Sequence, residues 1–272
     1  MKRRPLTSPG NPRVKLARAL HLRRHREHEG LFLVEGPHLL GAALAAGAPL
    51  REVFCTAGFA ESHAALAVRL DASPWPVWEV SEDTLARLAA TEGPQGVVAI
   101  AEQMPDAAGP QVTPDLLVLA LDGVGDPGNV GGALRAAHAA GASCVVLGPG
   151  CCDRFNAKAV RASAGALFAV PALSVDDLAG LLQRLREGGA RIIVAEPRGA
   201  KPVWEADLCG PAVLVVGSEA RGVSDAARAE ATDRVAVPMP GGAESLNAAA
   251  TAAILLYEAL RQRALDSKAR PS

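Results

Sequence analysis

Short apolar runs alternate with stretches of helical spacing along most of the chain. Continuous apolar runs of this length are typical of strands buried in a sheet, whereas apolar positions three or four apart indicate amphipathic helices. In the first part of the chain this pattern predicts strands at 31–34, 52–55, 77–80 and 97–101. It predicts helices at 14–29, 36–46, 63–70 and 81–90.

A second series of strands and helices follows a segment, 105–114, that is rich in proline and glycine and lacks periodicity, as a linker does. Beyond it we predict strands at 116–121, 143–147, 169–171, 191–195, 212–216 and 234–237. The intervening helices are predicted at 130–140, 156–163, 175–187 and near 224–229, with a long last helix at 245–264. This alternation favours a mostly parallel α/β sheet flanked by helices. The predicted domains are 1–104 and 115–265, with the linker between them and a disordered tail at 266–272.

Composition limits the classes of protein to which the chain can belong. Of its 272 residues 49% are hydrophobic and 21% are charged, as in soluble globular proteins. No apolar run approaches the ~20 residues that a membrane span needs. The five cysteines form no C-x-x-C pair, which argues against disulfides and zinc ligation. We therefore expect a cytoplasmic protein with reduced thiols, no metal and no membrane partner.

Charge is distributed unevenly along the chain. Residues 1–50 contain nine Lys and Arg against three Glu, a net +6, so the remainder of the chain is at −7. Lys and Arg that neutralise phosphates supply the sequence-independent part of nucleic-acid affinity. The asymmetry is typical of a polyanion-binding region on an acidic body, although a solvated helix face with a basic tail explains the composition equally well.

Three loop segments beside strand-like runs combine glycines with polar side chains. They are 126–135, 216–222 and 237–247. Loops at the carboxyl ends of parallel strands are where open α/β sheets bind ligands. The sequence therefore predicts a ligand pocket built from these three loops.

Each polar side chain in these loops has a structural and a functional interpretation. Asn129 can cap the helix that follows it, with Arg135 projecting along the same helix face. Glu219 can orient an arginine or meet a cationic ligand, or it can be an ordinary acid at a helix start. Ser245 can be a cap, whereas Asn247 enters an apolar helix and needs a partner, because a buried unpaired amide costs ~1–3 kcal/mol.

The same region also contains a glycine pattern of dinucleotide-binding proteins. Gly123, Gly125 and Gly128 follow a predicted strand with the spacing G-x-G-x-x-G. However, Asp126 would place a carboxylate against the pyrophosphate, and Pro127 removes a backbone donor. An NAD-dependent oxidoreductase is therefore the weaker interpretation.

Taken in order, the three segments resemble one family. They read N-x-G-x-x-x-R from Asn129, G-S-E-x-x-G from Gly217, and V-P-M followed by S-L-N between 237 and 247. This combination is similar to the SpoU branch of the SPOUT superfamily, the TrmH-like RNA ribose 2′-O-methyltransferases, over residues 118–263. Residues 11–15 and 32–36 resemble the small ribosomal-protein-like substrate-binding domain of that branch.

The resemblance implies a fold, a cofactor and a set of site residues. The C-terminal sheet would be tied in a trefoil knot, a rare exception to unthreaded connections, and the protein would form a homodimer. The methyl donor S-adenosylmethionine would contact Gly217, Val237, Met239 and Leu246. The catalytic and RNA-facing polar positions would be Asn129, Arg135, Glu219, Ser245 and Asn247. RNA binding would involve Arg13, Lys15, Arg23, Arg24, Arg135 and Arg161.

We therefore expect S-adenosylmethionine-dependent 2′-O-methylation of structured RNA. Ribosomal RNA of the 23S type is preferred because an appended N-terminal domain suits a folded RNA surface. Transfer RNA methylation and a non-catalytic RNA-binding assembly factor are the alternatives. Two departures from the family pattern, Ala136 and Ala249, leave the positioning of the substrate open.

Overall fold

The computed structural model describes residues 3–8, 10–196 and 201–269 and divides the chain into two units. The first unit is Met1–Met104 with Asp153–Phe168, and the second is Pro105–Cys152 with Ala169–Ser272. The first unit thus begins with the predicted domain 1–104. It also takes in Asp153–Phe168, a segment that the sequence analysis placed within 115–265.

Helices and strands alternate through both units, as the apolar pattern predicts. The strands are β1 (Arg4–Pro5), β2 (Leu31–Glu35), β3 (Leu50–Cys55), β4 (Val77–Glu79), β5 (Val97–Glu102), β6 (Leu117–Asp122), β7 (Cys144–Leu147), β8 (Ala172–Ser174), β9 (Arg191–Ala195), β10 (Lys201–Pro202), β11 (Ala212–Gly217) and β12 (Asp233–Ala236). The helices are α1 (Pro12–Ala19), α2 (Arg23–Glu29), α3 (Pro37–Ala45), α4 (Ala57–Ser62), α5 (Ala64–Asp71), α6 (Glu82–Leu88), α7 (Pro127–Ala139), α8 (Ala157–Ala162), α9 (Leu178–Glu187), α10 (Asp225–Ala229) and α11 (Ala248–Ala269). The short elements β1, β10 and α4 were not predicted, and β8 begins three residues later than expected.

The first unit is built on a five-stranded mixed sheet in the order β1-β4-β3-β5-β2. Its predicted helix at 14–29 is wrong in one respect, because α1 ends at Ala19 and α2 begins at Arg23. The break has a clear cause. The buried guanidinium of Arg26 donates hydrogen bonds to the carbonyl oxygens of Leu20 and His21, both at 2.9 Å. A continuous helix would have used those carbonyls in its own hydrogen bonds.

The segment Asp153–Phe168 completes the core of the first unit. The ring of Phe32 lies 4.9 Å from that of Phe155 and 6.2 Å from that of Phe168, measured between centroids. Arg26, whose side chain is 2% exposed, forms an ion pair at 2.8 Å with Asp153. Aromatic burial and a buried ion pair thus assign this segment to the first unit, although its neighbours in the sequence belong to the second.

The second unit is built on a seven-stranded sheet in the order β10-β12-β9-β11-β6-β7-β8. All its paired strands are parallel, which confirms the predicted α/β class. The central strands β6, β9 and β11 consist mainly of buried Val, Leu and Ile. Since parallel strands share one direction, the loops that follow them emerge at the same edge of the sheet.

Helix α11 begins three residues later than predicted and continues to Ala269, through part of the predicted tail. Residues 270–272 lie outside the described residues. The helix packs closely on α7, since a Cβ atom added to Gly132 would lie 2.9 Å from the Cβ of Ala249. The small side chain at 249, noted above as a departure, thus suits a tight helix–helix contact. In the described part of the chain, no helix is long and apolar enough to cross a membrane.

Arg263 fastens α11 to the starts of two central strands. Its guanidinium donates hydrogen bonds to the carbonyl oxygens of Asp115 (2.7 Å), Leu116 (2.9 Å), Leu208 (3.0 Å) and Gly210 (2.7 Å). These carbonyls lie just before β6 and β11, so the guanidinium of a single arginine joins the helix to the first residues of both strands. Lysine lacks the planar fork needed to make the same set of bonds.

We expect Asp153→Ala to destabilise the first unit by about 3–5 kcal/mol, because it leaves the Arg26 charge buried without its counter-ion. Urea unfolding monitored by tryptophan fluorescence measures the change. Glu27→Ala is the matched control, since Glu27 pairs with Arg23 on the same helix but is 57% exposed. Its removal should cost at most about 1 kcal/mol. Equal shifts in the two variants would contradict a structural role for the Asp153 pair.

Candidate active site

Three loops meet at the carboxyl edge of the parallel sheet in the second unit. The start of α7 follows β6, the loop 218–222 follows β11, and the segment 237–247 follows β12 and leads into α11. They contain the three sequence motifs. The shared strand direction explains why motifs far apart in the sequence come together at one edge.

One carboxylate oxygen joins all three loops. Oε1 of Glu219 accepts a hydrogen bond from the side-chain amide of Asn129 and another, at 3.0 Å, from the backbone N–H of Ala248. Among the described residues Glu219 makes no ion pair with an arginine. Its charge instead lies at the N-terminus of α11, where the helix dipole favours an anion.

Of the two interpretations of Asn129, the N-cap does not hold, because Asp126 caps the helix. The Asp126 carboxylate accepts a hydrogen bond at 3.0 Å from the backbone N–H of Asn129. Pro127 occupies the first helical position, where its missing N–H has no cost, so the helix starts earlier than predicted. Asn129 is then the third residue of α7, and its amide is available to Glu219.

Arg135 does not share a helix face with Asn129, contrary to expectation. In the uninterrupted helix α7, six residues correspond to about 9 Å along the axis and about 120° of rotation. The Arg135 side chain is exposed, and it has no hydrogen-bond or ion-pair partner within the described ranges. The structure therefore separates Arg135 from the Asn129–Glu219 pair of the same chain.

The expectation that Asn247 is buried and bonded to a distant partner is also wrong. Asn247 is exposed and directly precedes α11, where its Oδ1 accepts a hydrogen bond at 2.7 Å from the backbone N–H of Ala250. It is therefore the cap of that helix, a role that contributes roughly 1 kcal/mol. Ser245, which was considered as a cap, lies two residues earlier and is exposed.

A cavity of about 360 Å³ opens among these loops. Its lining includes all four positions assigned to the methyl donor: Gly217, Val237, Met239 and Leu246. Glu219 and Ser245 also line it, whereas Asn129, Arg135 and Asn247 do not. The volume falls within the range of about 300–1,000 Å³ that is usual for small-molecule sites.

The lining of the cavity suits a nucleoside with a charged tail. A Cβ atom on Gly217 would lie 2.1 Å from the backbone carbon of Gly222, so glycine lets the loop fold back against β11. The side chains of Val237, Met239 and Leu246 supply apolar contacts for a flat ring. Charged side chains in the lining, such as Glu219 and Arg228, supply hydrogen-bond partners for the polar groups of such a ligand. The residues present therefore fit S-adenosylmethionine.

One charged pair in the cavity lining was not predicted from the sequence. Glu196 follows β9, and its Oε1 accepts a hydrogen bond at 2.8 Å from Nε of Arg228, which also lines the cavity. Since β9 pairs in parallel with β11, its carboxyl end reaches the same edge of the sheet. The predicted strand at 191–195 ends directly before Glu196, and that strand end is the signal in the sequence that points to this residue. Among the residues that the structure describes, no group of three or more His, Cys, Asp or Glu is placed to hold a metal ion.

The six cations predicted to bind RNA include Lys15, Arg23 and Arg24, which are exposed on α1 and α2 of the first unit. Lys15 on α1 and Arg24 on α2 are exposed and have no partner among the described side chains. Arg23 is exposed but pairs with Glu27 at 2.6 Å. Arg135 belongs to the second unit and is described above.

The other two predicted RNA-binding arginines are tied into the first unit. Arg13 forms an ion pair at 2.6 Å with the buried Glu52, and its guanidinium lies 4.7 Å from the ring centroid of Trp78. Arg161 on α8 lies 3.5 Å from Glu35 and is 30% exposed. Both have structural roles that composition could not reveal.

The fold and the site together define a mostly parallel α/β protein with a ligand cavity at the carboxyl edge of its sheet, and comparison with family models identifies the family. The model of the SpoU rRNA Methylase family matches residues 116–257. The model of the MRM3-like substrate binding domain matches residues 11–99. The chain belongs to the SpoU rRNA methylase family.

Known relatives resemble almost the whole chain. An uncharacterised tRNA/rRNA methyltransferase of Synechocystis is 36% identical over 95% of this chain and 94% of its own length. The 23S rRNA (guanosine(2553)-2′-O)-methyltransferase RlmP of Bacillus subtilis is 34% identical over 93% and 97%, respectively. The structure of the SpoU methyltransferase AviRb from Streptomyces viridochromogenes, in complex with the cofactor AdoMet, superposes with a TM-score of 0.85 at 32% identity, covering 93% of this chain and 98% of that one.

We expect Glu219→Ala to accelerate hydrogen exchange at the backbone amide of Ala248, because that N–H loses its acceptor. Loss of a hydrogen bond to an exposed carboxylate should raise the exchange rate severalfold, corresponding to about 1 kcal/mol. Amide exchange followed by NMR or mass spectrometry measures this. Glu244→Ala, which removes another exposed acid from the segment 237–247, is the control and should leave the rate unchanged. An unaltered Ala248 amide in Glu219→Ala would rule out the bridge.

Proposed function

We propose that this protein transfers the methyl group of S-adenosylmethionine to the 2′-hydroxyl of a ribose in 23S ribosomal RNA. The observation that carries the proposal is the cavity lined by Gly217, Val237, Met239 and Leu246, next to the Glu219 bridge. Membership of the SpoU family and the named activity of the Bacillus subtilis relative support the reaction and the class of RNA.

The bound donor would supply an already activated methyl group, so the protein has to bind and orient the reactants. Much of the rate in such a reaction comes from proximity and orientation. Loops held together by Glu219 provide a rigid frame for this task. Ser245 lies at the cavity lining, where its hydroxyl is available for a hydrogen bond to a reactant.

Arg135 contacts the RNA and not the methyl donor. Its guanidinium is effectively always protonated, so it is unsuited to act as a base. A fixed cation can grip the phosphate next to the target ribose and stabilise negative charge that develops on the 2′-oxygen. Its exposure, with no acidic partner among the described residues, supports this role.

The functional assembly is a homodimer of knotted domains. Helix α11 exposes Ile254, Tyr257 and Leu260, which a second copy would cover. Since Arg135 lies away from the Asn129–Glu219 pair of its own protomer, a neighbouring protomer is the natural source of the arginine for each cavity. The trefoil knot of the parallel sheet is part of this proposal and is supported by family membership.

The first unit recruits the RNA, and the protein acts in the cytoplasm. Lys15 and Arg24 are exposed cations available to phosphates, and the match of residues 11–99 to a substrate-binding domain supports this role. All five cysteines are free, as expected for a protein in a reducing compartment.

The test is calorimetric titration with S-adenosylmethionine, followed by mapping of 2′-O-methyl groups in RNA from cells lacking the protein. We expect saturable binding and the loss of one methylated ribose in 23S ribosomal RNA. Loss of a transfer RNA methylation instead would overturn the choice of substrate. Absence of donor binding would leave a non-catalytic RNA-binding factor as the better interpretation.

Mixed dimers test the position of Arg135. A variant Arg135→Ala and a cavity-filling variant Val237→Trp should each be inactive alone. If Arg135 serves the cavity of its partner, co-refolded mixtures regain about a quarter of the wild-type activity, because half of the dimers are mixed and each mixed dimer has one intact site. Methyl transfer to 23S ribosomal RNA is the measurement. A mixture that remains inactive would place Arg135 in its own protomer's site.

A further inference from the structure

The carboxylate of Glu196 belongs to none of the three motifs, yet this residue lines the proposed cavity for the methyl donor. Glu196 follows β9, which lies between β12 and β11 in the sheet. Its backbone N–H donates a hydrogen bond at 2.8 Å to the carbonyl oxygen of Val235 on β12. The sheet therefore fixes the position from which the Glu196 side chain extends to the cavity lining.

The side chain of Glu196 is oriented as well as placed. Nε of Arg228 donates a hydrogen bond to its Oε1 at 2.8 Å. The same guanidinium donates to the carbonyl oxygen of Val223 at 2.9 Å and to Oδ1 of Asp225 at 2.5 Å. The bond to the carbonyl oxygen of Val223 anchors Arg228, whereas the pair with the exposed Asp225 contributes little, and Arg228 holds one carboxylate oxygen of Glu196. The other, Oε2, has no hydrogen bond to any described residue.

An ionised carboxylate only accepts hydrogen bonds, so the partner of Oε2 must be a donor. In open parallel sheets, an acid just beyond a strand end accepts hydrogen bonds from the ribose hydroxyls of nucleotide cofactors. The ion pair with Arg228 offsets the charge of Glu196, which weakens its attraction for a cation but leaves its lone pairs available. A neutral hydroxyl is therefore a better match than the ammonium group of an amino acid.

We propose that Glu196, oriented by Arg228, accepts a hydrogen bond from a ribose hydroxyl of the adenosine part of the methyl donor. This inference rests on the proposed use of S-adenosylmethionine. Glu196 is then a residue that binds the methyl donor and lies at the end of a fourth strand, β9. Arg228 is a positioning residue that acts by orienting Glu196.

Three ligands, titrated by calorimetry into the full-length protein, distinguish the possible contacts. S-adenosylhomocysteine has the ribose hydroxyls and the amino-acid tail, 5′-methylthioadenosine lacks the tail, and 2′,3′-dideoxy-5′-methylthioadenosine lacks both tail and hydroxyls. Glu196→Ala should weaken binding of the first two by about tenfold to a hundredfold, the usual effect of losing a hydrogen bond to a charged group. Its affinity for the dideoxy compound should equal that of the wild type.

Two further variants test the role of Arg228. Arg228→Gln should show a smaller loss with the same dependence on the hydroxyls, because Glu196 remains but is no longer held. Asp225→Ala is the matched control, since Asp225 also bonds Arg228 but is 98% exposed, and it should bind all three ligands like the wild type. Thermal unfolding of each variant identifies any general loss of structure.

Other outcomes overturn the inference. Equal losses for all three ligands would mean that Glu196 acts through the fold of the cavity. A loss confined to S-adenosylhomocysteine would assign Glu196 to the ammonium group. Unchanged affinities in Glu196→Ala, with normal binding by the wild type, would refute this inference alone. A wild-type protein that binds none of the ligands would overturn the proposed function, and this inference with it.

Discussion

The candidate site depends on a single shared acceptor, Oε1 of Glu219. Every helix leaves its first N–H groups without partners inside the helix, and a buried or crowded helix start must find them elsewhere. Glu219 meets this need for α11 through Ala248 and at the same time holds Asn129 on α7. The two helices also touch at Gly132 and Ala249. Their relative position is thus fixed at the point where the loops enter the cavity.

The parallel sheet imposes the second constraint. Because all its paired strands run in one direction, every strand end contributes a loop to the same edge, whether or not that loop carries a recognisable motif. Gly217 shows how close the packing is there, since even a methyl group would collide with the backbone at Gly222. Glu196 shows the other consequence. A residue with no motif of its own reaches the cavity because its strand pairs with β11.

The sequence could predict features that depend on local pattern or on strand direction. Continuous apolar runs predict β6, β9 and β11, and the shared direction of parallel strands predicts that the three motif loops meet at one edge. Where the prediction of one continuous helix at 14–29 failed, a distant side chain decided the outcome. The break between α1 and α2 depends on buried Arg26, whose ion-pair partner Asp153 lies far along the chain. No periodicity in residues 14–29 contains that information.

Helix geometry and capping account for the remaining differences at the site. Asn129 and Asn247 both stand near helix starts, where asparagine commonly caps. Only Asn247 does so, because Asp126 and Pro127 already begin α7 one turn earlier. The motif spacing predicts which loops meet at the cavity, but spacing alone does not say which of their polar side chains bond to a helix and which remain available to a ligand.

The net charge of a segment overstates its capacity to bind RNA when its cations already form ion pairs within the protein. Residues 1–50 have a formal charge of +6, yet several of their arginines are neutralised within the first unit. These are Arg3 with Asp71, Arg13 with Glu52, Arg23 with Glu27 and Arg26 with Asp153. Exposed cations without such a partner, such as Lys15 and Arg24, are the ones that can release counterions from RNA. Under the proposed function, the salt dependence of RNA binding should therefore reflect fewer phosphate contacts than composition suggests.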